Sequence, residues 1–189
     1  MIISLTGFMG CGKSSVGRRL SELLCCSFMD LDDVIVERAG RSIPEIFATD
    51  GEAVFRQMEH DALQDIIASA ERHSTIVLAL GGGAVMQEEC EKMVHEDTVC
   101  IYLKASVDTL LSHLEDQADG RPLLNNPSVM SSEAPSVMSS EVETSPLRNR
   151  ILELMSLRSA TYERTAHHII DTDGKSIEDI AAEIIGFFS

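Results

Sequence analysis

Eight residues near the start of the chain, Gly7-Phe8-Met9-Gly10-Cys11-Gly12-Lys13-Ser14, fit the pattern G-x-x-x-x-G-K-[ST]. The apolar run Met1–Leu5 just before them predicts a β-strand, and the amphipathic segment Val16–Leu24 just after them predicts a helix. Glycines between a strand and a helix let successive backbone N–H groups converge on an anion, and the helix N-terminus adds partial positive charge. This part of the chain is therefore predicted to form a strand–loop–helix unit that binds nucleotide phosphates.

The loop and the first turn of the following helix supply the candidate nucleotide contacts. Lys13 would reach the β- and γ-phosphates of ATP, and the hydroxyl of Ser14 would bind the Mg²⁺ ion that neutralises charge between them. The predicted contacts are Gly10, Cys11, Gly12, Lys13, Ser14 and Ser15. A glycine-rich turn that binds nothing is the competing interpretation, and the strand–loop–helix setting disfavours it. ATP and Mg²⁺ are therefore the expected co-substrate and metal.

Short apolar runs recur along the chain and alternate with segments of helical periodicity. The runs are Met1–Leu5, Ser27–Met29, Thr75–Leu80, Thr98–Leu103 and His168–Ile170. Strands that alternate with helices predict an α/β fold in which helices cover a parallel sheet. A length of 189 residues with 44% apolar content predicts a single domain, 1–189.

Three capping-box patterns predict where helices begin. They are Ser42-x-x-Glu45, Thr49-x-x-Glu52 and Ser176-x-x-Asp179. After the second pattern, apolar residues at spacings of three and four predict a helix with one face on the core. The members of this stripe are Val54, Phe55, Met58, Ala62, Leu63, Ile66 and Ile67.

The chain carries 31 Asp and Glu residues against 15 Lys and Arg, a formal net charge of −16. Such a charge repels polyanions, so neither nucleic acid nor an anionic membrane surface is an expected partner. No apolar run approaches the roughly 20 residues of a membrane span, and the first residues lack the basic region of a secretory signal. The cytoplasm is therefore the expected location.

The cysteines and histidines show no pattern that indicates a metal site. The five cysteines are an odd set without C-x-x-C spacing, which predicts reduced, mostly buried thiols rather than a disulfide framework or a zinc site. The histidines at 60, 73, 95, 167 and 168 lack metal-ligand spacing, so packing or surface roles are expected for them.

One stretch, 125–146, is rich in Ser, Pro and Glu and interrupts the alternation of strands and helices. Within it the seven residues Pro127–Glu133 recur as Pro135–Glu141, a tandem duplication with a period of eight residues. That period is too short for a solenoid repeat, and the composition is typical of a surface loop. We interpret the stretch as an insertion in a flexible flap.

Five further motifs follow the glycine-rich loop in order. They are Asp30-Leu31-Asp32, Gly51-Glu52-Ala53-Val54-Phe55-Arg56-x-x-Glu59, Gly81-Gly82-Gly83-Ala84, Gly120-Arg121-Pro122-Leu123-Leu124 and Leu157-Arg158-Ser159-Ala160-Thr161-Tyr162. Each is weak alone, but the ordered set resembles the shikimate kinase family closely. The likeness runs from Met1 to about Asp173 and is broken only by the Ser/Pro-rich insertion.

The resemblance implies a P-loop kinase fold with a five-stranded parallel sheet of order 2-3-1-4-5, helices on both sides and a mobile lid. It implies a shikimate-binding region at 31–70 and a lid at 113–148 that contains the insertion. The implied reaction transfers the γ-phosphoryl group of ATP to the 3-hydroxyl of shikimate, a step of aromatic amino-acid biosynthesis. A monomer is the expected state.

The same resemblance assigns roles to individual residues. Arg56 and Arg158 match the arginines that bind the shikimate carboxylate, for which a fork-shaped cation is suited. Asp32 matches the residue that binds the ring hydroxyls and can orient or deprotonate the attacking oxygen. Asp30 would lie near Mg²⁺, and Arg121 matches the lid arginine that covers the phosphates.

Supporting roles follow for several neighbours of these residues. Gly81, Gly82 and Gly83 match the family's substrate-contacting glycines. Glu59 resembles the acid that holds the carboxylate-binding arginines, and Phe47 and Phe55 would line the apolar side of the ring. His113 stands where the family often has an adenine-stacking arginine, so a histidine ring is expected to stack there instead.

Other interpretations remain open at the level of sequence. Arg56 and Glu59 could be an ordinary surface pair at i,i+3, Arg158 a solvated helix residue, and Asp30 and Asp32 caps of the following helix. A related P-loop kinase for another small acid such as gluconate would share the fold and Lys13. A catalytically silent nucleotide-binding module is the alternative from a different class.

Overall fold

The five apolar runs form five parallel strands in a computed structural model that describes residues 1–70, 75–116 and 146–188. The strands are β1 (Ile2–Thr6), β2 (Ser27–Asp30), β3 (Ile76–Ala79), β4 (Val99–Lys104) and β5 (His168–Asp171). They pair in the order β2-β3-β1-β4-β5, with every pair parallel. The predicted parallel sheet and its predicted strand order are both confirmed.

Helices cover both faces of this sheet, as the alternation of strands and helices requires. They are α1 (Lys13–Leu23), α2 (Leu31–Ala39), α3 (Ile43–Thr49), α4 (Gly51–Ala70), α5 (Glu88–Asp97), α6 (Val107–Asp116), α7 (Pro146–Thr165) and α8 (Ile177–Gly186). A short 3₁₀ turn, Ala84–Met86, follows β3. Because side chains alternate along a strand, the apolar residues of the sheet divide into two buried clusters.

The two clusters locate the helices relative to the sheet. Helices α2 to α5 pack on the cluster that contains Ile2, and α1, α6 and α8 pack on the cluster that contains Leu5. Helix α7 contributes to both, with Ile151 and Leu154 in one and Tyr162 in the other. This helix therefore passes from one face of the sheet to the other.

The predicted helix starts are right in two cases and wrong in one. Ser42 and Ser176 both form capping boxes at the starts of α3 and α8. Thr49 does not start α4 but is the last residue of α3, where its hydroxyl donates to the Glu45 carbonyl at 2.8 Å. The helix that begins at Ser42 extends through Thr49, and the break falls at Gly51, whose φ of 82° suits glycine.

The predicted apolar stripe of α4 is confirmed except for one member. Phe55, Ala62, Leu63 and Ile66 are at most 5% exposed, and Met58 and Ile67 pack against the same cluster. Val54 is 40% exposed. It precedes Phe55 by one residue, a rotation of about 100° around the helix axis, so its side chain points away from the sheet.

The structure also locates the thiols. All five cysteines lie within the described ranges and are free, with Cys11, Cys90 and Cys100 buried and Cys25 exposed. None of the helices in these ranges is both long and apolar enough to cross a membrane. The duplicated segment at 127–141, most of the predicted lid and Arg121 lie outside the described residues.

Candidate active site

The loop after β1 joins that strand to α1, which is the strand–loop–helix arrangement that its sequence predicts. Gly12 caps α1 with a φ of 92°, a left-handed conformation that side chains rarely adopt, and no side chain caps the helix there. Its first N–H groups therefore point into the loop without a side-chain acceptor. At Gly7 a Cβ atom would lie 2.6 Å from the Leu103 carbonyl oxygen, so the loop also needs glycine where it passes β4.

Lys13 folds back over this loop. Its ammonium group donates to the carbonyl oxygens of Gly7 at 2.9 Å and Phe8 at 3.0 Å. The Sγ atom of Cys11, a residue only 3% exposed, lies 3.8 Å from the same nitrogen. The positive charge is thus held beside the loop amides, and a bound phosphate would compete with two carbonyl groups for it.

Ser14 and Asp30 join the loop to the end of β2. The Ser14 hydroxyl donates to one carboxylate oxygen of Asp30 at 2.6 Å, and the other oxygen accepts from the backbone N–H of Asp32 at 3.1 Å. Asp30 therefore does cap α2, and it also faces the loop. Hydroxyl and carboxylate oxygens are ligands that Mg²⁺ prefers, so this pair fits the predicted metal site.

The described residues offer no larger metal site. Within them, no group of three or more His, Cys, Asp or Glu side chains could hold an ion. A Mg²⁺ site that uses Ser14 and Asp30 would need further oxygens from phosphates and water, which is the usual manner of Mg²⁺ binding in phosphoryl-transfer enzymes.

Two further predicted residues border the nucleotide side. His113 on α6 lies against the loop, with its Nδ1 atom 2.8 Å from the Gly10 carbonyl oxygen. Ser15 is exposed in the first turn of α1. The ring of His113 is thus next to the loop where a nucleotide would bind, and its stacking on adenine stays a prediction.

Arg56 and Glu59 on α4 form a buried ion pair rather than a surface pair. The Glu59 side chain is only 1% exposed, and Nη1 of Arg56 donates to it. The opposite edge of the guanidinium reaches the exposed Glu52, with Nη2 at 3.2 Å and Nε at 3.4 Å from one carboxylate oxygen. Arg56 is thus held on two sides by residues of its own helix.

Burial and charge act in opposite directions on this pair. Burial raises the pKa of Glu59 above its usual value, and the attraction of Arg56 offsets that rise only in part. For Arg56, burial alone would lower the pKa, but the charges and hydrogen bonds of Glu59 and Glu52 together outweigh it and the net shift is upward. The guanidinium therefore stays a cation in spite of its burial.

The glycines after β3 are the point where the other site residues meet. A Cβ atom on Gly81 would lie 2.8 Å from Asp32 Oδ1 and 2.9 Å from Glu59 Oε1. On Gly83 it would lie 2.8 Å from Nη1 of Arg56, and on Gly82 it would lie 3.5 Å from the Met9 backbone nitrogen. Larger residues would push these side chains apart, so the turn needs to be glycine for Asp32, Glu59 and Arg56 to converge.

Helix α7 brings two residues to the same turn. Nη1 of Arg158 lies 3.5 Å from the Gly82 carbonyl oxygen, and the Tyr162 hydroxyl donates to that same oxygen. The predicted side chains Asp32, Arg56 and Arg158 are thus gathered around the turn 81–83. Arg121 lies outside the described residues, so its role stays a prediction of the resemblance.

An apolar pair lies beside the arginine. The rings of Phe47 and Phe55 are 4.7 Å apart between centroids, and the guanidinium carbon of Arg56 is 5.5 Å from the Phe55 ring. Phe55 is 5% exposed. An apolar ring pair thus adjoins a cationic group, and its contact with a substrate ring stays a prediction.

The sequence analysis gave Glu52 only a helix-capping role and gave Tyr162 no role. Glu52 could have been found from its position four residues before Arg56, the spacing of a helical ion pair. Tyr162 follows Arg158 by the same four residues, which indicates one helix face, but that spacing alone does not predict a contact with Gly82.

The chain has a parallel sheet, and a strand–loop–helix unit of the phosphate-binding type follows its first strand. An acid and two arginines lie at the same edge of the sheet. Together these features define the chain as a P-loop kinase. The sequence model of the family "Shikimate kinase" matches residues 9–189. The chain belongs to the shikimate kinase family, whose co-substrate and metal are ATP and Mg²⁺.

Individual relatives and solved structures agree with this assignment. Shikimate kinases of Geobacter metallireducens and Zymomonas mobilis are each 40% identical to the chain, over 98% and 97% of its length and 90% of theirs. The structure "Shikimate kinase from Acinetobacter baumannii in complex with shikimate" is 29% identical with a TM-score of 0.81, and covers 99% of this chain and 92% of that one. Shikimate kinase from Bacteroides thetaiotaomicron has a TM-score of 0.82 at 25% identity, over 100% and 98% of the two chains.

Proposed function

We propose that this chain transfers the γ-phosphoryl group of ATP to the 3-hydroxyl of shikimate, giving shikimate 3-phosphate and ADP. The observation that carries the proposal is the meeting of Asp32, Arg56 and Arg158 at the turn 81–83. Gly82 in this turn adjoins the backbone of the phosphate-binding loop. An acceptor bound there would lie next to the phosphoryl group that it receives.

The two arginines recognise the acceptor carboxylate. Arg56 lies against Gly83 and Arg158 against Gly82, so both can approach one ligand from the same turn. Guanidinium groups pair with carboxylates through two parallel hydrogen bonds, which orients the ring as well as holding it. Glu59 keeps Arg56 in place from the buried side.

Asp32 acts on the attacking hydroxyl. Its Oδ1 atom lies beside Gly81, close to the buried carboxylate of Glu59. The 3-hydroxyl oxygen forms the new bond to the γ-phosphorus, and the bond from that phosphorus to the β,γ-bridging oxygen breaks to release ADP. Asp32 orients the hydroxyl and accepts its proton.

Residues of the loop stabilise the transferring group. Lys13 leaves the carbonyls of Gly7 and Phe8 to contact the β- and γ-phosphates. Ser14 and Asp30 would hold Mg²⁺, and the bound ion would neutralise charge on the phosphates. Arg121 covers the phosphates from the lid, as the family resemblance implies.

We further propose that the enzyme is a one-domain monomer in the cytoplasm. Its partners are small molecules rather than polyanions. The formal charge of −16 supports the choice of small-molecule partners, because it disfavours binding to nucleic acid and to anionic membrane surfaces.

A coupled ADP-release assay tests the function. With Mg²⁺ and ATP present, shikimate, quinate and gluconate are offered in turn, and the phosphorylated product is identified by mass spectrometry. We expect ADP release that depends on shikimate and yields shikimate 3-phosphate. Release with gluconate instead would favour the other small-acid kinase, and nucleotide binding without release for any acceptor would favour a silent module.

A further inference from the structure

Tyr162 is buried beside the acceptor site but has no part in the reaction described above. Its side chain is 1% exposed, and its hydroxyl donates to the carbonyl oxygen of Gly82, a residue 80 positions earlier in the chain. Burial raises the pKa of this hydroxyl, so the group stays a neutral hydrogen-bond donor throughout the physiological range.

The acceptor of this hydrogen bond is the middle carbonyl of the three-glycine turn. Gly81 adjoins Asp32 and Glu59, Gly83 adjoins Arg56, and Gly82 adjoins the phosphate-binding loop. Three glycines in a row impose few conformational limits of their own. The Gly81 and Gly83 carbonyls accept from the backbone N–H groups of Ala84 and Met86, whereas the Gly82 carbonyl accepts from Tyr162 on α7.

Arg158 lies one helical turn before Tyr162 on the same face of α7, and it approaches the same carbonyl oxygen. Its contact of 3.5 Å is at the long limit for a hydrogen bond, whereas the tyrosine contact is short. Arg158 and Tyr162 thus share one acceptor in the turn, and the two side chains also hydrogen-bond to each other. The positions of these two side chains are therefore coupled.

The direction of the phenol ring is set by the core. The ring of Tyr102 on β4 lies 5.2 Å away with a tilt of 33°, and Tyr102 is itself only 2% exposed. A ring packed in this way cannot turn its hydroxyl to another acceptor without disturbing the sheet.

We propose that Tyr162 is a positioning residue of the acceptor site, which sets the turn 81–83 and Arg158 at the separation that the substrate carboxylate and ring require. This inference rests on the proposed function. It concerns binding of the acceptor and not of the nucleotide, because the contacts of Tyr162 are with the acceptor turn and the core.

The test is the substitution Tyr162→Phe, which removes the hydroxyl and keeps the ring. One lost hydrogen bond at a binding site predicts a rise of about 5- to 20-fold in KM for shikimate. We expect KM for ATP to change by less than about twofold, since the loop keeps its own contacts. KM does not depend on how much of the enzyme is folded, so partial loss of stability would not hide this difference.

Tyr102→Phe is the matched control. It removes a buried hydroxyl from the same ring pair, but not the one that bonds to Gly82. We expect both KM values of this variant to stay within about twofold of the parent enzyme. An equal rise in KM for shikimate in both variants, or an equal change for ATP and shikimate in Tyr162→Phe, would show a general packing role and overturn the proposal.

A double-mutant cycle tests whether the tyrosine acts together with Arg158. If it does, KM for shikimate in the variant Tyr162→Phe/Arg158→Lys rises by less than the product of the two single effects. Independent effects would multiply and would contradict the inference. Failure of the proposed function can be told apart from failure of this inference. In the former case the parent enzyme itself would show no shikimate-dependent ADP release.

Discussion

The phosphate-binding loop consists of eight consecutive residues, whereas the acceptor site takes side chains from α2, α4 and α7 and a turn after β3. In the loop, the groups that face a ligand are backbone N–H groups, and Lys13 and Ser14 bond to Gly7, Phe8 and Asp30. In the acceptor site, the groups are charged side chains held by a buried carboxylate.

The two sites differ in how far their side chains are preorganised before a ligand binds. The lysine and the serine must exchange intramolecular partners for phosphate and metal, so nucleotide binding requires rearrangement of two side chains. Arg56 instead keeps its bond to Glu59, which is 1% exposed, and only its contact with the exposed Glu52 has to give way to a ligand. The acceptor side is therefore the more preorganised of the two, and substitutions should separate the two sides.

The largest effect is expected for Asp32→Asn, which should lower kcat by about 10²- to 10⁴-fold because an amide cannot accept the hydroxyl proton. ATP should still bind, as measured by calorimetry. Asp33→Asn is the control, since that neighbouring carboxylate is 75% exposed and 3.9 Å from Arg18. Loss of ATP binding in Asp32→Asn would instead place this carboxylate at the metal.

Lys13→Ala tests the nucleotide side. The substitution removes a charge that acts on the transferring phosphoryl group, so kcat should fall by at least about 10²-fold. Lys92→Ala, at a lysine that is 71% exposed, should leave turnover unchanged. Turnover of Lys13→Ala within about threefold of the parent enzyme would contradict the role given to the loop.

Arg56→Lys tests the acceptor side. Lysine keeps the charge but cannot form the two-pronged contact, so KM for shikimate should rise by about 10-fold while KM for ATP changes little. Arg38→Lys, at an exposed arginine paired with Asp65 at 2.8 Å, is the matched control. Equal increases in both KM values for Arg56→Lys would show that the two sides are not separate.

The smallest effect is expected from the two acids that flank Arg56. Glu59→Gln removes the buried charge that holds the guanidinium, so we expect KM for shikimate to rise by about three- to tenfold with a lower melting temperature. Glu52→Gln should change both by little, because exposed ion pairs contribute only about 0.2–1 kcal/mol. Similar results for the two variants would mean that burial of Glu59 does not matter for the site.

Sequence alone predicted the features that depend on near neighbours along the chain. The glycine-rich loop, the five strands and the capping boxes at Ser42 and Ser176 are of this kind, because each is set by spacings of a few residues. The failures at Thr49 and Val54 are local as well. At Thr49 two overlapping helix-start signals competed, and the earlier one, with Pro44 in its first turn, extended through the second.

Only the tertiary structure decided which charged residues form a site. In sequence, Arg56 and Glu59 are indistinguishable from a solvated helical pair, and the family resemblance alone indicated otherwise. The pair is buried because the turn 81–83 packs over α4, and Arg158 and Tyr162 reach that turn because α7 passes from one face of the sheet to the other. Such contacts join residues up to 80 positions apart, and helix and strand periodicity carry no information about partners at that distance.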